Sequence, residues 1–375
     1  PLLANTPESA MPPVWTGEMS NGMKVKGMAY TELPVVQFAV YLNSGMLCEP
    51  KGKSGLARLT AAVLNCGTRT KTPEELEVAL GLLGARVSFG VSTERMQLSG
   101  SCLKKNFPQV LRLVEEMLLE PRWDETALEL ARKRMIGNIR QSSTEPKVLA
   151  RHVFRQMMYG PENVLSNSAL ASEKEVAAIT MEDIKTFYKT HIVPGQATFD
   201  FVGGYEKKEV MKFLQPLART WTTGGASQER LNLNFMAPQA KVYFVDYPGA
   251  KQSYILLGCP AMPKASNDYY PAKMVNQLLG ASSMLYCSMC CVCNTVILTG
   301  RIHFSIAGNM RMSSGLLRVY RRLIRSKQCN CLKVVFRPME SSLQNKVWSK
   351  PKMRCSRKML PLSKCPMPGW TCCRK

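Results

Sequence analysis

The chain has 375 residues, enough for two domains with separate cores, and 45% of them are hydrophobic, which excludes a wholly disordered protein. No run of 18 apolar residues is present, so the sequence predicts no membrane span. The net charge of +23 is concentrated at one end: residues 1–280 carry +6, and residues 281–375 carry +17 with Glu340 as their single acid. Because the charge over residues 1–280 is ordinary, we expect no nucleic-acid partner for this part.

The chain up to residue 221 predicts alternating strands and helices. Residues 35–42 (VVQFAVYL) are rich in strand-forming residues, and residues 86–92 and 95–103 alternate apolar and polar positions as a half-buried hairpin does. A further strand is predicted at residues 197–204. Helices are predicted from apolar spacing and capping residues at 73–84, 107–119, 124–140, 147–158 and 207–217. Cap-like starts at Ser172 and Thr180 predict two more, the second over residues 181–192. Clustered helices beside an antiparallel hairpin favour an α+β fold, with helices on one face of a mainly antiparallel sheet.

Composition divides the rest of the chain. Residues 12–221 are predicted to form a first domain, and residues 222–239 have the Gly, Ser, Asn and Pro content of a linker. A second domain of the same type begins in residues 240–280, with two strands around Pro248 and a helix starting near Tyr270. Its periodicity ends after Gly280, so this second domain is predicted to be truncated.

The segment GKSGLARLTAAVLNCGT, residues 52–68, predicts a short amphipathic helix that is closed by Gly67. This segment, the following RTKTPEEL, and the later blocks LLEPRWDE and DYPGAKQSYILLGCPA occur in an order that resembles the pitrilysin/insulinase family of zinc metallopeptidases. More narrowly, they resemble the inactive C-terminal half of the long, two-half bacterial members. The resemblance implies the α+β fold of such a half.

In active members of that family the corresponding helix carries His-x-x-Glu-His, which binds zinc and activates a water molecule. The resemblance places the two His positions at Arg58 and Ala62, the Glu position at Ala61 and the third ligand at Asn138. Alanine has no lone pair to offer a metal, and a guanidinium stays protonated and repels a cation. The motif at 58–62 is therefore interpreted as catalytically inactive. The helix is either an ordinary core helix or one whose Arg58 contacts a substrate backbone or carboxylate.

The tail, residues 281–375, differs from the rest of the chain because it holds ten of the fourteen cysteines and only one acid. Cys287, Cys290 and Cys293 have the spacing of a metal knuckle, but Cys329 and Cys331 do not supply a matching pair. A second hypothesis is that the tail is a basic arm that binds nucleic acid. The interpretation that we favour is a tail translated out of frame and disordered, because acids and helical periodicity disappear together.

The resemblance implies a function for the chain as a non-catalytic half of a zinc-dependent metalloendopeptidase. Such a half would enclose and bind peptide substrates for proteolysis by a zinc-bearing partner half, from the same precursor or a separate subunit. The alternative is a structural or assembly subunit without substrate contact. No cofactor is expected in this chain, since zinc would lie on the partner half. By resemblance alone, the location would be the periplasm or cell envelope of a bacterium.

Overall fold

A computed structural model describes residues 13–160, 163–168, 170–222, 243, 245–249, 252–260, 267–271 and 313–321. Contacts divide the chain into two compact units. The first comprises Pro1–Glu145 and Tyr159–Asn232, and the second comprises Pro146–Met158 and Leu233–Lys375. The domain boundaries expected from sequence remain a prediction, since most of the linker and of the second domain lies outside the described residues.

A six-stranded sheet forms the centre of the first unit. Its strands are β1 (Val14–Glu18), β2 (Lys24–Ala29), β3 (Val35–Leu42), β4 (Arg86–Val91), β5 (Met96–Leu103) and β6 (Ala197–Gly203). The order across the sheet is β1-β2-β6-β3-β5-β4, and all neighbours are antiparallel except the parallel pair β2 and β6. The predicted hairpin is β4 and β5, which pair from Arg86 with Ser101 to Val91 with Met96.

Helices lie between these strands. In the first unit they are α1 (Leu56–Leu64), α2 (Pro73–Leu82), α3 (Phe107–Leu119), α4 (Glu125–Ser143), α6 (Glu173–Ala177), α7 (Met181–His191) and α8 (Lys207–Thr220). The capping box expected at α2 is present: the Thr72 hydroxyl accepts a hydrogen bond from the backbone N–H of Glu75, and the Glu75 carboxylate accepts one from the backbone N–H of Thr72. Each bond satisfies an N–H that the helix itself leaves free.

One face of the sheet is buried. Alternate residues of β3, beginning at Val36, are buried, whereas the residues between them are exposed or half-buried. Phe199 and Phe201 of β6 extend the same buried face, and the ring of Phe38 stacks on that of Phe199 with centroids 6.0 Å apart. Phe107, at the start of α3, packs against Phe201 at 5.4 Å. The α+β class with helices on a mainly antiparallel sheet is thus confirmed.

Strands β1 and β2 were not predicted from the sequence. VWTGE and KVKGMA are short, and each contains a glycine, a residue that strands disfavour. Their place in the sheet comes from pairing: β1 pairs with β2, and β2 pairs in parallel with β6, from Lys24 with Thr198 to Ala29 with Gly203. A partner about 170 residues away leaves no signal in local periodicity.

The second unit contains helix α5 (Pro146–Tyr159), except for its last residue, and strands β7 (Gln252–Pro260) and β8 (Ser313–Arg321). The two strands are antiparallel and pair from Gln252 with Arg321 to Pro260 with Ser313. Strand β8 falls inside the stretch for which the sequence predicts an out-of-frame, disordered tail, and the rest of that stretch lies outside the described residues. The helix predicted to begin near Tyr270 also lies largely outside them. None of the helices in the described ranges is long and apolar enough to cross a membrane.

Candidate functional site

Helix α1, where the resemblance places the expected motif positions, is preceded by Gly55 and followed, three residues after its end, by Gly67. Gly55 precedes the helix with φ of 99°, a left-handed conformation that L side chains rarely adopt, and a Cβ there would lie 2.5 Å from Cε of Met135. Gly67 follows the helix with φ of 95°, and a Cβ there would lie 2.6 Å from the carbonyl oxygen of Lys71. The chain therefore enters and leaves α1 through turns that favour glycine.

The three motif positions on α1 are in different environments. Ala61 is 4% exposed and belongs to the core, whereas Arg58 and Ala62 are half-buried. Arg58 and Ala62 are one helical turn apart, so their side chains lie on the same side of the helix. Nε of Arg58 is buried and has no hydrogen-bond partner among the described residues. At these two expected positions the helix thus presents a cation and a methyl group, and neither can bind zinc as an imidazole does.

Asn138, the position assigned to a third ligand, is exposed on α4. The buried residues of that helix are Leu128 and Ile139. Hence the structure does not bring Asn138 into the core beside Ala61. Among the described residues, no group of three or more His, Cys, Asp or Glu side chains could hold a metal ion. The assignment of Asn138 remains a prediction from the resemblance.

Glu49 is a feature of the site that sequence reasoning missed. It is 7% exposed, and its Oε2 and Oε1 accept hydrogen bonds of 3.0 Å each from the backbone N–H groups of Gly55 and Ala57. Burial raises the pKa of Glu49 to about 7, and the nearby charge of Glu175 adds to this increase, while the two N–H groups and the charge of Arg58 oppose it. The carboxylate binds the free amides at the N-terminus of α1, where the helix dipole favours negative charge.

Two further acidic residues hold the segment just before α1. Glu175 of α6 accepts a hydrogen bond of 2.9 Å from the backbone N–H of Ser54. Lys53 forms an ion pair of 2.8 Å with Asp183 of α7 and donates to the carbonyl of Ala178. Although burial acts to raise it, hydrogen bonds from Lys53 and from the cap of α7 hold the pKa of Asp183 below its usual value. The segment is therefore tied to elements more than a hundred residues away in sequence.

None of the expected motif positions lines the open groove of about 810 Å³ that the first unit contains. Its lining comes from the segment after α1 and from the α3–α4 connection: Arg69, Leu119, Glu120, Pro121, Arg122, Trp123, Asp124 and Glu125. Two ion pairs form among its lining residues, between Arg69 and Glu120 at 2.9 Å and between Arg122 and Asp124 at 3.4 Å. Its charged groups are thus largely paired with each other.

Two family models match adjacent parts of the chain. The model described as insulinase (peptidase family M16) matches residues 28–180, which include α1, and the model described as the peptidase M16 inactive domain matches residues 178–321. The chain belongs to peptidase family M16. It has the fold of an inactive pitrilysin-like half. The match reaches residue 321, beyond the limit of residue 280 that the sequence resemblance suggested.

Curated relatives of this M16 chain are distant. The chain is 23% identical over 249 residues to the non-peptidase homolog YmxG of Helicobacter pylori, covering 66% of this chain and 57% of that protein. It is 18% identical over 273 residues to the mitochondrial-processing peptidase subunit beta of Blastocladiella emersonii, covering 72% of this chain and 57% of that protein. The chain thus spans somewhat more than half the length of these relatives.

Solved structures show the same fold as this M16 chain. A peptidase M16 inactive domain from Pseudomonas fluorescens matches with a TM-score of 0.79 and 21% identity, covering 89% of this chain and 80% of the other. The periplasmic protease PqqL from Escherichia coli matches with a TM-score of 0.65 and 15% identity, covering 82% of this chain and 35% of the other. The likeness to PqqL thus extends over about a third of that protease.

Proposed function

We propose that the chain is a non-catalytic half of an M16 zinc metalloendopeptidase and helps to enclose and bind peptides that a zinc-bearing partner half cleaves. The observation that carries this proposal is an α1 helix that is anchored at both ends but has Arg58, Ala61 and Ala62 at the motif positions. If α1 had no remaining role, nothing would require the contacts that anchor its ends. Their presence supports a role for this helix. Zinc and the general base would come from the partner half, because neither Arg58 nor an alanine can supply them.

Arg58 is the residue of this surface best suited to a peptide. A guanidinium offers up to five donors to backbone carbonyls or a carboxylate, and buried Nε of Arg58 has no protein partner among the described residues. Because Nε itself is buried, a chain terminus or an acidic side chain of a substrate would accept hydrogen bonds from the terminal guanidinium nitrogens of Arg58. We further propose the periplasm or cell envelope of a bacterium as the location, which the similarity to a periplasmic protease supports.

A photocrosslinking amino acid at position 62, one helical turn from Arg58 and half-buried, tests the binding role while Arg58 stays in place. With an unstructured peptide of mixed sequence as probe, we expect a crosslink at position 62 and none from a control position at Val78, which is 61% exposed on α2. No crosslink at position 62 would contradict the proposal. The purified chain with added Zn²⁺ should also cleave no peptide, and any turnover that a chelator abolishes would overturn the non-catalytic assignment.

A second candidate function is a structural or assembly subunit without substrate contact. The partial burial of Arg58 favours it, since a half-buried guanidinium is less accessible to a peptide than an exposed one. The same crosslinking experiment separates the two functions, because an assembly subunit should give no specific peptide crosslink.

A further inference from the structure

Strand β4 forms one edge of the six-stranded sheet, and β5 is its single neighbour in the sheet order. At the end of this hairpin the backbone N–H of Ser92 donates to the carbonyl of Arg95 at 2.8 Å, so Ser92 occupies a hydrogen-bonded position. Hydrogen-bonded and non-hydrogen-bonded pairs alternate along an antiparallel ladder. Phe89, three residues earlier, therefore turns its N–H and C=O away from β5 and towards the open edge, as do Val87 and Val91.

The open edge is occupied at Phe89 by a side chain from α1. The backbone N–H of Phe89 donates to Oδ1 of Asn65 at 2.8 Å, and Nδ2 of Asn65 donates to the carbonyl of Phe89 at 3.0 Å. A neighbouring strand would make the same two hydrogen bonds to this residue. The carboxamide of Asn65 thus takes the place of a peptide group of a neighbouring strand and supplies the same donor and acceptor.

The position of Asn65 is fixed by the backbone around it. Asn65 is the C-cap residue of α1, and its N–H donates to the carbonyl of Ala61. Two residues later the chain turns sharply at Gly67, which has no room for a Cβ. The side chain therefore reaches β4 from a helix end with little freedom to move away, and it is half-buried.

We propose that Asn65 closes the β4 edge to extended peptides. A peptide strand can pair with β4 only if it displaces two well-formed hydrogen bonds at the centre of the strand, and exposed edges that are not blocked in some way attract other strands. The inference rests on the proposed function only in naming a peptide as the competing strand. It means that peptides bound by this half do not bind by strand addition at β4.

Amide hydrogen exchange of the unmodified chain gives the first test. The N–H groups of Val87, Phe89 and Val91 all face the open edge, but only that of Phe89 bonds to Asn65. We expect the Phe89 amide to exchange about tenfold more slowly than the other two, because it alone is protected by the hydrogen bond to Asn65. Equal exchange at the three residues would overturn the proposal without any variant having to fold.

The second test compares Asn65→Leu, which keeps the side-chain size but removes both hydrogen bonds, with Gln97→Leu as a control. Gln97 is an exposed amide side chain on β5, opposite Gly90, and leaves Phe89 untouched. The probe is a short peptide of alternating valine and threonine with blocked ends and terminal lysines. We expect it to bind Asn65→Leu about tenfold more tightly than the original chain or the control, with NMR shifts centred on β4.

Equal binding of this probe to Asn65→Leu and to the original chain, or binding to neither, would overturn the inference. Failure of the crosslink at position 62 would instead contradict the proposed function and leave the exchange result at Phe89 unaffected. The two proposals can therefore fail separately.

Discussion

Glu49 accepts a hydrogen bond of 3.0 Å from the backbone N–H of Ala57 while its other oxygen binds Gly55, so one buried carboxylate spans the first turn of α1. This contact joins the loop after β3 to the helix that holds the expected motif positions. At this place desolvation raises the pKa of Glu49, whereas the hydrogen bonds from the two backbone N–H groups lower it.

The burial of Glu49 makes the stability of the chain depend on pH. Its pKa is about 7 in the folded chain and 4.5 without burial, so between these values the folded state retains a proton that the unfolded state has released. The contribution of Glu49 to the free energy of unfolding therefore falls by roughly 3 kcal/mol as the pH rises from about 4.5 to 7. Urea unfolding at a series of pH values measures this decrease. It should disappear in Glu49→Gln and remain in the control Glu182→Gln, whose position is exposed. An unchanged slope in Glu49→Gln would contradict the expectation.

A glutamate at Ala61, the position that the resemblance assigns to the general base, should destabilise the chain. Ala61 is 4% exposed and surrounded by core residues, so Ala61→Glu buries a carboxylate without a partner and should cost about 3 kcal/mol. Ala62→Glu, at a half-buried position on the next residue, is the matched control and should cost less than half as much. Chemical denaturation of both variants tests this ordering, and a less stable Ala62→Glu would contradict it.

Two glycines should respond oppositely to alanine. Gly55→Ala forces a side chain into a left-handed conformation against Met135 and should cost about 1–2 kcal/mol. Gly137→Ala lies inside α4 with nothing within 4 Å of the new Cβ, so it should stabilise by about 0.5–1 kcal/mol through helix propensity. Thermal unfolding measures both changes. A stabilising Gly55→Ala would show that the turn into α1 is not strained by a side chain.

A half-buried tyrosine links α7 to the end of α3. The Tyr188 hydroxyl donates to the carbonyl of Leu118 at 2.6 Å, and burial raises the pKa of Tyr188 to about 12. Tyr188→Phe should reduce the free energy of unfolding by about 1 kcal/mol, because the carbonyl loses its donor. Tyr30→Phe, whose hydroxyl bonds to Glu32 at an exposed site, should change it by less than half of that. Equal losses of unfolding free energy in Tyr188→Phe and Tyr30→Phe, measured by urea unfolding, would contradict a stabilising role for the hydrogen bond from Tyr188 to Leu118.

Local sequence patterns predicted the helices well because their signals are local. The capping box of Thr72 and Glu75 and the apolar spacing of residues 107–119 each lie within one helix. The expected motif positions rest on the same kind of local signal, since Arg58 and Ala62 lie between short segments typical of the family, and their assignment stays a prediction. Glu49 and Asn65 gave no such signal. Both act on backbone groups of other segments, and a hydrogen bond to a backbone N–H or C=O places no requirement on the type of residue that carries it.

The position of β6 between β2 and β3 has a consequence for how the chain folds during synthesis. Strands β1 and β2 can pair as soon as they leave the ribosome, and so can β3, β5 and β4, but the two groups share no hydrogen-bonded strand pair until β6 joins them. β6 ends at Gly203, so the first unit cannot complete its sheet until more than half of the 375 residues have been translated. Such long-range pairing slows folding and exposes β3 to pairing with other chains in the interval. A nascent chain stalled before residue 197 should therefore need a chaperone to remain soluble.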